Sequence, residues 1–298
     1  MTRVVLILLS LFIALPADAE NVLHEERSLY SNLLVKRIGN RVCLQFSAKR
    51  DVRNQTCMNE RRPREMVFSY TRMTMSALLF TPQPQSMLVV GLGGGTLPTA
   101  FRELFPNMEI DALEIDPAVI NVAQRYFNFK PDENMRVHAQ DARLWIKRAA
   151  KQGRKFDLII LDAFNGDYIP EHLMTQEFFS EVDSILSAQG IMVSNTFEIS
   201  RLYDHESATY ASVFPSMINF QAPESANRLI MAPKTDVEDD VIKARARTIA
   251  TKLRPYGVPI KRYARMLVRQ RGEAPDWNTN ARVLTDQYAP ANLLRGGD

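Results

Sequence analysis

Glycines and carboxylates follow four successive apolar segments of the sequence. MLVV runs into a glycine loop, while EIDALEI, MRVHA and FDLIILD end in or lead to the acids Glu114, Asp141 and Asp162. Glycines let the backbone approach a ligand where a Cβ would collide, and a following helix offers free N–H groups. A carboxylate about twenty residues past such a loop can accept both hydroxyls of a ribose. A nucleoside-containing ligand is therefore predicted at Gly91, Gly93, Gly94, Gly95, Glu114, Asp141 and Asp162.

Two kinds of nucleoside ligand compete for this pattern. Nicotinamide dinucleotides are usually bound by a GxGxxG loop, whereas this loop reads GLGGGT and has Pro98 on its helix side. The order of glycine loop, glutamate, aspartate and aspartate instead fits an S-adenosyl ligand on a methyltransferase-like sheet, with Asp141 placed for the adenine amino group. A nicotinamide-dependent oxidoreductase, or a well-packed sheet whose polar strand ends bind nothing, stay open as alternatives.

The segments that carry these residues alternate between strand and helix patterns. Apolar strand-like runs are MLVVG, EIDALEI, MRVHA, FDLIILD and GIMVSNTF. Helix-like runs follow them at 98–105, 117–127, 142–151, 173–187 and 203–213. Continuous apolar strands separated by helices predict a parallel sheet that is covered on both faces. We therefore predict an α/β fold with a Rossmann-like sheet of the S-adenosylmethionine-dependent methyltransferase type.

Shorter patterns flank this region. NLLVKRI and RVCLQF are split by Gly39 and Asn40, which indicates a small N-terminal β-hairpin domain. SMINF and NRLIMA indicate closing edge strands, and a helical pattern begins near residue 236. We divide the chain into a signal peptide at 1–19, a small β domain at 20–65, a Rossmann-like S-adenosyl-ligand-binding domain at 66–235, and a helical extension and tail at 236–298.

Composition and charge argue against several classes of protein. The chain has 298 residues, 46% of them apolar, which is enough for a full core. Its net charge of +3 comes from 37 basic and 34 acidic residues without a long block of one sign, so we expect no nucleic-acid partner. The two cysteines and four scattered histidines lack metal-ligand spacing, so we expect no metal.

The first nineteen residues have the pattern of a secretory signal peptide. Arg3 precedes an apolar run at 4–15 that is short for a membrane span, and the small-residue motif ADA follows at 17–19. Cleavage there predicts a periplasmic or secreted protein; an uncleaved membrane anchor and a misassigned start codon are the alternatives. An even pair of cysteines in an exported protein predicts a disulfide between Cys43 and Cys57, with two buried thiols as the alternative.

Four ordered motifs give the chain from Leu29 to Ala232 a specific resemblance to the spermidine synthase (polyamine aminopropyltransferase) family. VVGLGGGTLP resembles its glycine motif, EID its ribose-binding motif, QDA its adenine-side motif and LDAFNGD the motif of its catalytic aspartate. NQTCMNERRPREMVFSYTRM is similar to the stretch that joins the family's hairpin domain to its Rossmann-like domain. DAFNGDYIPEHLMTQEFF looks closer to the divergent spermidine synthase-like branch than to characterised synthases.

The resemblance implies a role for each matched residue. It implies that Asp162 is catalytic and helps to remove a proton from an amine that displaces the aminopropyl group from a sulfonium. It implies that the donor, S-adenosylmethionine or its decarboxylated form, is bound by Gly91, Gly93, Gly94, Gly95, Glu114, Asp116, Asp141 and Ala142. It places the amine substrate near Gln55 and Tyr70, with Asp167 and Glu171 as further acids.

The sequence departs from the family pattern at several substrate-side positions. Gly94 stands where synthases have an aspartate that meets the cationic end of the donor, and Asn165 replaces the second acid of D-x-x-D. Thr71 and Arg72 replace the usual His-Glu. Burying the two charges of a diamine is costly unless each is paired. We therefore expect putrescine to be a poor acceptor, and a monoamine, a smaller cation or a retained nucleoside to bind in preference.

Two functions follow from these observations. The first is a spermidine synthase-like transferase that moves an aminopropyl or methyl group to an amine. The alternative is an exported binding protein that keeps the synthase fold without turnover. In either case the expected partner is a small-molecule amine or nucleoside, and a homodimer is open as an alternative to a monomer.

Overall fold

A four-stranded antiparallel sheet begins the part of the chain that the computed structural model describes, which is residues 21–46, 53–163, 169–197 and 202–289. Its strands, in spatial order, are β1 (Asn21–Arg27), β2 (Asn32–Ile38), β3 (Arg41–Phe46) and β4 (Asn54–Asn59). Gly39 turns between β2 and β3 with φ of 56°, as predicted for this hairpin. Alternate residues such as Leu33, Val35 and Leu44 are fully buried and form one apolar face.

A seven-stranded sheet forms the centre of the molecule. Its strands are β5 (Ser86–Val90), β6 (Glu109–Glu114), β7 (Met135–Ala139), β8 (Phe156–Leu161), β9 (Leu186–Phe197), β10 (Ile218–Gln221) and β11 (Asn227–Pro233). The spatial order is β10-β11-β9-β8-β5-β6-β7, parallel from β9 to β7 and antiparallel at β10 and β11. The predicted parallel sheet with closing edge strands is confirmed.

Helices cover both faces of this sheet. They are α1 (Ser69–Thr74), α2 (Thr96–Leu104), α3 (Pro117–Tyr126), α4 (Ala142–Lys151), α5 (Gln176–Ser184), α6 (Tyr203–Val213), α7 (Asp239–Leu253) and α8 (Ile260–Gln270). Met87 and Val89 pack with α2 on one face, while Leu88 and Val90 pack with α4 and α5 on the other. A strand buried on both faces must be apolar at every position, and for that reason β5 reads as an unbroken apolar run.

The connections of the parallel strands create a crevice. The chain runs from β5 outward through β6 to β7, and then crosses to β8 on the other side of β5. Connections therefore leave the carboxyl ends of β5 and β8 in opposite directions, and in such sheets ligands bind at that point. The apolar face of the first sheet packs on α3 beside this crevice, through Val119 and Val122.

The C-terminal helices lie on the face that carries α1. Arg245 of α7 donates hydrogen bonds to the carbonyls of Leu79 and Phe80, at 2.8 and 2.9 Å. Beyond α8 the chain returns along α5, where the Gln176 N–H donates to the Leu284 carbonyl at 2.9 Å. Within the described ranges, none of the helices has the length and apolar character that crossing a membrane requires.

Candidate active site

A cavity of about 320 Å³ lies at the carboxyl ends of the parallel strands, under the first sheet. The sequence places its lining residues far apart, on β4, α1, the loop after β5 and the ends of β6, β7 and β8. Among the residues assigned from the sequence, the lining includes Gln55, Tyr70, Gly91, Gly93, Gly94, Glu114, Asp116, Asp141, Ala142 and Asp162. Donor-side and amine-side candidates therefore share one cavity.

The glycines of the loop have different structural roles. Gly91 has φ of +91°, and a Cβ there would lie 2.3 Å from the Asp162 carbonyl oxygen, so glycine lets the ends of β5 and β8 approach. Gly95 caps α2 with φ of +71°, and a Cβ would lie 2.4 Å from the Phe129 ring. Gly93 has no atom closer than 3.9 Å to such a Cβ. Gly93 thus faces the open cavity, while Gly95 serves packing.

The space beside Gly94 is filled by the first sheet. A Cβ at Gly94 would lie 2.9 Å from the side chain of Thr56 on β4 and 3.1 Å from the ring of Phe127. Thr56 itself lines the cavity. Thr56 therefore occupies the space into which an acidic side chain at position 94 would project.

Two acids at the end of β6 are held by different contacts. Glu114 accepts hydrogen bonds from the backbone N–H groups of Leu92 and Asp116, both at 3.1 Å, and burial raises its pKa. Each of its oxygens keeps a second lone pair for a ligand. Asp116 is 3% exposed and accepts bonds from the Ala118 N–H at 3.0 Å and the Ser28 hydroxyl at 2.5 Å. Asp116 lines the cavity but caps α3 and ties it to the first sheet.

Asp141 stands at the first turn of α4. One of its oxygens accepts a hydrogen bond from the Leu144 N–H at 2.9 Å, and the other lies 3.0 Å from Nε2 of His172. Ala142 is buried and begins α4, where backbone N–H groups are free. The His172 side chain is 47% exposed. An adenine amino group at Asp141 would therefore share an oxygen with an exposed imidazole.

Asp162 is half-buried where β8 ends. Asn195 of β9 donates its side-chain N–H to Asp162 at 2.8 Å, and Tyr70 of α1 shares a hydrogen bond with the same carboxylate. Burial raises the pKa of Asp162 to about 7, against the opposing effect of these two hydrogen bonds. Burial and the negative charge of Asp162 raise the pKa of Tyr70 well above 10.0. A carboxyl group that titrates near neutral pH is suited to accept a proton in a reaction.

Two amine-side candidates do not appear in the described lining of this cavity, one of them because the structure does not describe it. Glu171 belongs to the short helix Glu171–Leu173, whose neighbours Pro170 and His172 line the cavity while Glu171 does not. Asp167, and with it Asn165, lies outside the described residues. Of the acids assigned to the amine, Asp162 is therefore the one that lines the cavity among the described residues.

Arg72, which stands in place of a family acid, is held by hydrogen bonds just before α1, and its effect on amine binding stays a prediction. Its guanidinium donates to the carbonyls of Met66 and Val67, at 2.7 and 3.0 Å, and to the Ser69 hydroxyl at 2.9 Å. Arg72 is absent from the described lining of the cavity. These hydrogen bonds hold the guanidinium against the backbone that precedes α1.

Sequence reasoning missed three residues that shape the site. Asn195 and Thr56 contact Asp162 and Gly94, and both are polar residues inside strands, a signal that could have marked them. Arg143 donates to Glu181 at 2.9 Å and to Asp286 at 2.6 Å. It also donates to the carbonyl of His172 at 3.2 Å, so it fixes the segment that closes one side of the cavity.

A disulfide joins Cys43 of β3 to Cys57 of β4, with the sulfur atoms 2.01 Å apart. Both cysteines are buried. Cys57 directly follows Gln55 and Thr56, which line the cavity. The covalent bond therefore fixes the strand that delivers these two side chains.

Comparison with known proteins extends this picture. Residues 67–228 match the family described as the spermine/spermidine synthase domain. A polyamine aminopropyltransferase of Vibrio vulnificus is 46% identical over 277 residues, which cover 92% of this chain and 91% of that protein.

Two solved structures are also similar. A probable spermidine synthase from Corynebacterium glutamicum has a TM-score of 0.64 at 18% identity, covering 87% of this chain and 98% of that one. Human methyltransferase-like protein 13 in complex with SAH has a TM-score of 0.52 at 25% identity, covering 76% and 97%. The first supports the fold, and the sequence match covers the glycine loop and Asp162. The chain therefore belongs to the spermine/spermidine synthase family.

Proposed function

We propose that this chain transfers an aminopropyl group from decarboxylated S-adenosylmethionine to a primary amine. The observation that carries the proposal is Asp162, a half-buried carboxyl group with a pKa of about 7 that lines the same cavity as the glycine loop. The Vibrio vulnificus relative, named a polyamine aminopropyltransferase, supports this reaction type.

The lining of the cavity supports the proposal of an adenosyl donor. Gly93 leaves open space where a Cβ would otherwise stand, so the backbone of the loop can lie close to a ligand at this position. The oxygens of Glu114 are fixed by two backbone N–H groups and keep lone pairs for a ribose diol. Asp141 and Ala142 lie beyond it at the start of α4, on the side proposed for the adenine.

Asp162 would act on the amine. The donor supplies a sulfonium, which is a good leaving group, so the remaining need is an aligned and deprotonated nucleophile. The amine nitrogen forms a bond to the aminopropyl carbon, the carbon–sulfur bond breaks with its electron pair on sulfur, and the proton of the amine passes to Asp162. Tyr70 and Asn195 hold the carboxylate through their hydrogen bonds.

Methyl transfer to an amine is a second candidate, favoured by the similarity to a methyltransferase-like protein in complex with SAH. Both reactions need the same in-line geometry, so the products distinguish them. Purified protein is incubated with decarboxylated S-adenosylmethionine or S-adenosylmethionine and a panel of monoamines and diamines, followed by mass spectrometry. We expect an aminopropylated amine and methylthioadenosine, and a loss of at least about a hundredfold in Asp162→Asn.

The panel also tests the non-catalytic alternative. Methylthioadenosine binding without product from any amine would favour an exported binding protein that keeps the synthase fold. Putrescine belongs in the panel, because a poor rate with it and a good rate with a monoamine is the expectation from Gly94 and Asn165. Turnover of putrescine at the rate of the best amine would contradict that expectation while supporting the transferase.

We also propose that the mature chain works outside the cytoplasm, as a periplasmic or secreted protein. The signal-like pattern at 1–19 supports this location. The bond between Cys43 and Cys57 is a second support, since disulfides form and persist mainly in oxidising compartments.

A further inference from the structure

The segment at 284–288, which we call the C-terminal strap, packs beside the residues that close one side of the cavity. Leu284 is 1% exposed and packs against Met174, and its carbonyl accepts a hydrogen bond from the Gln176 N–H at 2.9 Å. Two backbone hydrogen bonds, both of 2.9 Å, then close a turn that carries Asp286. The strap thus presents the Asp286 carboxylate to the body of the protein in a fixed position.

Asp286 binds the guanidinium of Arg143 through both oxygens. Nη1 and Nη2 of Arg143 donate to these oxygens at 2.6 and 2.7 Å, which is a bidentate pair. Glu181 of α5 accepts from Nε and Nη2, each at 2.9 Å, and the His172 carbonyl accepts from Nη1 at 3.2 Å. These contacts use all five N–H groups of the guanidinium, whose side chain is 9% exposed. Arg143 is therefore held in one position.

Arg143 connects the strap to two walls of the cavity. Asp141 and Ala142 directly precede it at the start of α4, and both line the cavity. His172 lines the cavity from the other wall, and its Nε2 lies 3.0 Å from Asp141 Oδ2. Asp286 does not appear in the described lining. The two walls on the adenine side of the cavity therefore share one guanidinium, and that guanidinium depends on a carboxylate outside the cavity.

We propose that Asp286 is a positioning residue for the adenosyl donor, because it holds Arg143 between α4 and the His172 carbonyl. This inference rests on the proposed function, which places the adenine at Asp141. With a neutral side chain at position 286, Glu181 is the remaining carboxylate on the guanidinium. The guanidinium then shifts toward Glu181 and away from the His172 carbonyl. The two walls are no longer fixed to each other, and the donor loses affinity.

The reacting end of the donor should keep its surroundings. Asp162 is held by hydrogen bonds from Asn195 and Tyr70. In the described part of the chain, none of these three side chains has a hydrogen bond or an ion pair with Arg143 or the strap. Loss of the Asp286 carboxylate should therefore weaken donor binding without slowing turnover at a saturating donor concentration.

Two substitutions separate the charge of Asp286 from its size. Asp286→Asn has the same size, but its amide nitrogen would face an N–H group of Arg143 in place of an acceptor oxygen. Asp286→Glu is longer by one methylene group and keeps both oxygens, and the side chain at this position is 42% exposed, which leaves room for it. Asp276→Asn is the matched control, because Asp276 is another exposed acid of the C-terminal region and accepts from the Tyr203 hydroxyl at 2.7 Å.

The experiment measures the Kd of methylthioadenosine by calorimetry, and kcat and KM for decarboxylated S-adenosylmethionine with the best amine at saturation. In Asp286→Asn we expect Kd and the donor KM to rise about tenfold, with kcat within about twofold of the wild type, because charged hydrogen bonds are lost away from the reacting atoms. Asp286→Glu should recover most of the affinity although its side chain is larger. Asp276→Asn should change neither constant. Thermal unfolding reports whether each variant is folded.

Unchanged Kd and donor KM in Asp286→Asn, in a protein that turns over, would overturn the inference and leave the proposed function intact. A lower kcat at an unchanged donor KM, or an equal loss in Asp276→Asn, would also overturn it, because either result indicates a general structural role. If Asp286→Asn does not fold, Arg143→Lys decides, since an ammonium group lacks the five N–H groups that this arrangement uses. A wild-type Kd in Arg143→Lys would then overturn the inference.

The wild type distinguishes failure of the inference from failure of the proposed function. Absence of methylthioadenosine binding by the wild type would overturn the adenosyl site, and this inference with it. Binding without product from any amine would overturn the transferase alone, and the Kd values of the variants would then decide the role of Asp286.

Discussion

At the scale of single residues, the site depends on the surroundings of Asp162. Burial favours the protonated form of this carboxyl group, and the hydrogen bonds from Asn195 and Tyr70 favour the ionised form. The balance leaves its pKa at about 7, compared with an ordinary value of 3.8. Substitutions of Asn195 or Tyr70 should therefore change both the transfer activity and the free energy of unfolding.

Transfer activity should rise with pH through about 7, because only ionised Asp162 can accept the proton of the amine. Tyr70→Phe removes a hydrogen bond that lowers the pKa of Asp162, so its midpoint should move to higher pH. The measurement is kcat/KM for the amine between about pH 6 and 9, with the donor at a saturating concentration. A profile without any inflection near pH 7 in the wild type would argue against Asp162 as the proton acceptor.

Asp162→Asn should be inactive and yet more stable than the wild type above pH 7. The folded protein binds the Asp162 proton more tightly than the unfolded chain does, because the folded pKa is raised from 3.8 to about 7. Between these values the folded state holds more protons, so the stability contributed by this group is lost as pH rises. Thermal unfolding at about pH 5 and pH 8 should show a flatter pH dependence in the variant. Parallel curves for the two proteins would contradict this assignment.

The space at Gly94 gives a prediction about packing. Gly94→Asp should destabilise the fold by about 1–3 kcal/mol, because its Cβ would meet Thr56 at 2.9 Å. Thr56→Ala removes the obstructing atoms and should recover a large part of this loss in the double variant. Denaturant unfolding of the two single variants and the double variant forms the cycle. Additive effects would show that Thr56 does not occupy the space of an acid at this position.

At the scale of secondary-structure elements, the cavity is formed where strands of two sheets meet. The parallel strands β5 and β8 supply the glycine loop and Asp162, and β4 of the antiparallel sheet supplies Gln55 and Thr56. The position of β4 is fixed by its ladder with β3 and by the Cys43–Cys57 disulfide. Removing the contacts that fix β4 should therefore change the shape of the cavity and lower the free energy of unfolding.

Replacing both cysteines, in Cys43→Ala/Cys57→Ala, should lower the free energy of unfolding by about 2–4 kcal/mol, as for other disulfides that close loops of similar length. It should also weaken methylthioadenosine binding, because Thr56 packs beside Gly94. Denaturant unfolding and calorimetric titration check these two effects. Dithiothreitol should cause the same loss of stability and of methylthioadenosine binding in the wild type, and it should leave the variant unchanged. A wild type that does not respond to the reductant would contradict the proposed role of the disulfide.

At the scale of the whole molecule, location and turnover are separate questions. The disulfide and the pattern at 1–19 support the proposed export. The family match, the cavity and Asp162 support a transferase. Each therefore needs its own measurement, and activity of the purified protein does not report where it works.

Full-length protein with a C-terminal tag should be recovered outside the cytoplasm of a bacterial host and should begin at Glu20. The physical reason is the short apolar run at 4–15 followed by the small residues at 17–19. Intact mass and non-reduced peptide mapping test the cleavage and the Cys43–Cys57 bond together, with cytoplasmic expression of residues 20–298 as the control. Recovery from the cytoplasm with Met1 retained and both thiols free would contradict export.

The sequence by itself determined the order of the elements and the position of the candidate motifs. Strand and helix periodicity is local, so the alternation after residue 86, the Gly39 hairpin and the acids at strand ends could be predicted from short windows. Parallel strands place their carboxyl ends on one edge of the sheet, so the sequence alone predicts that Gly91, Glu114 and Asp162 meet there.

Only the tertiary structure decided which side chains surround these motifs. Asn195 is 33 residues from Asp162 in the chain and reaches it because β9 pairs with β8. Thr56 fills the space at Gly94 because the first sheet packs over the glycine loop, and Arg72 turns toward the carbonyls of Met66 and Val67. The direction of a side chain depends on neighbours brought together by packing of distant segments, and no local pattern of residues contains that information.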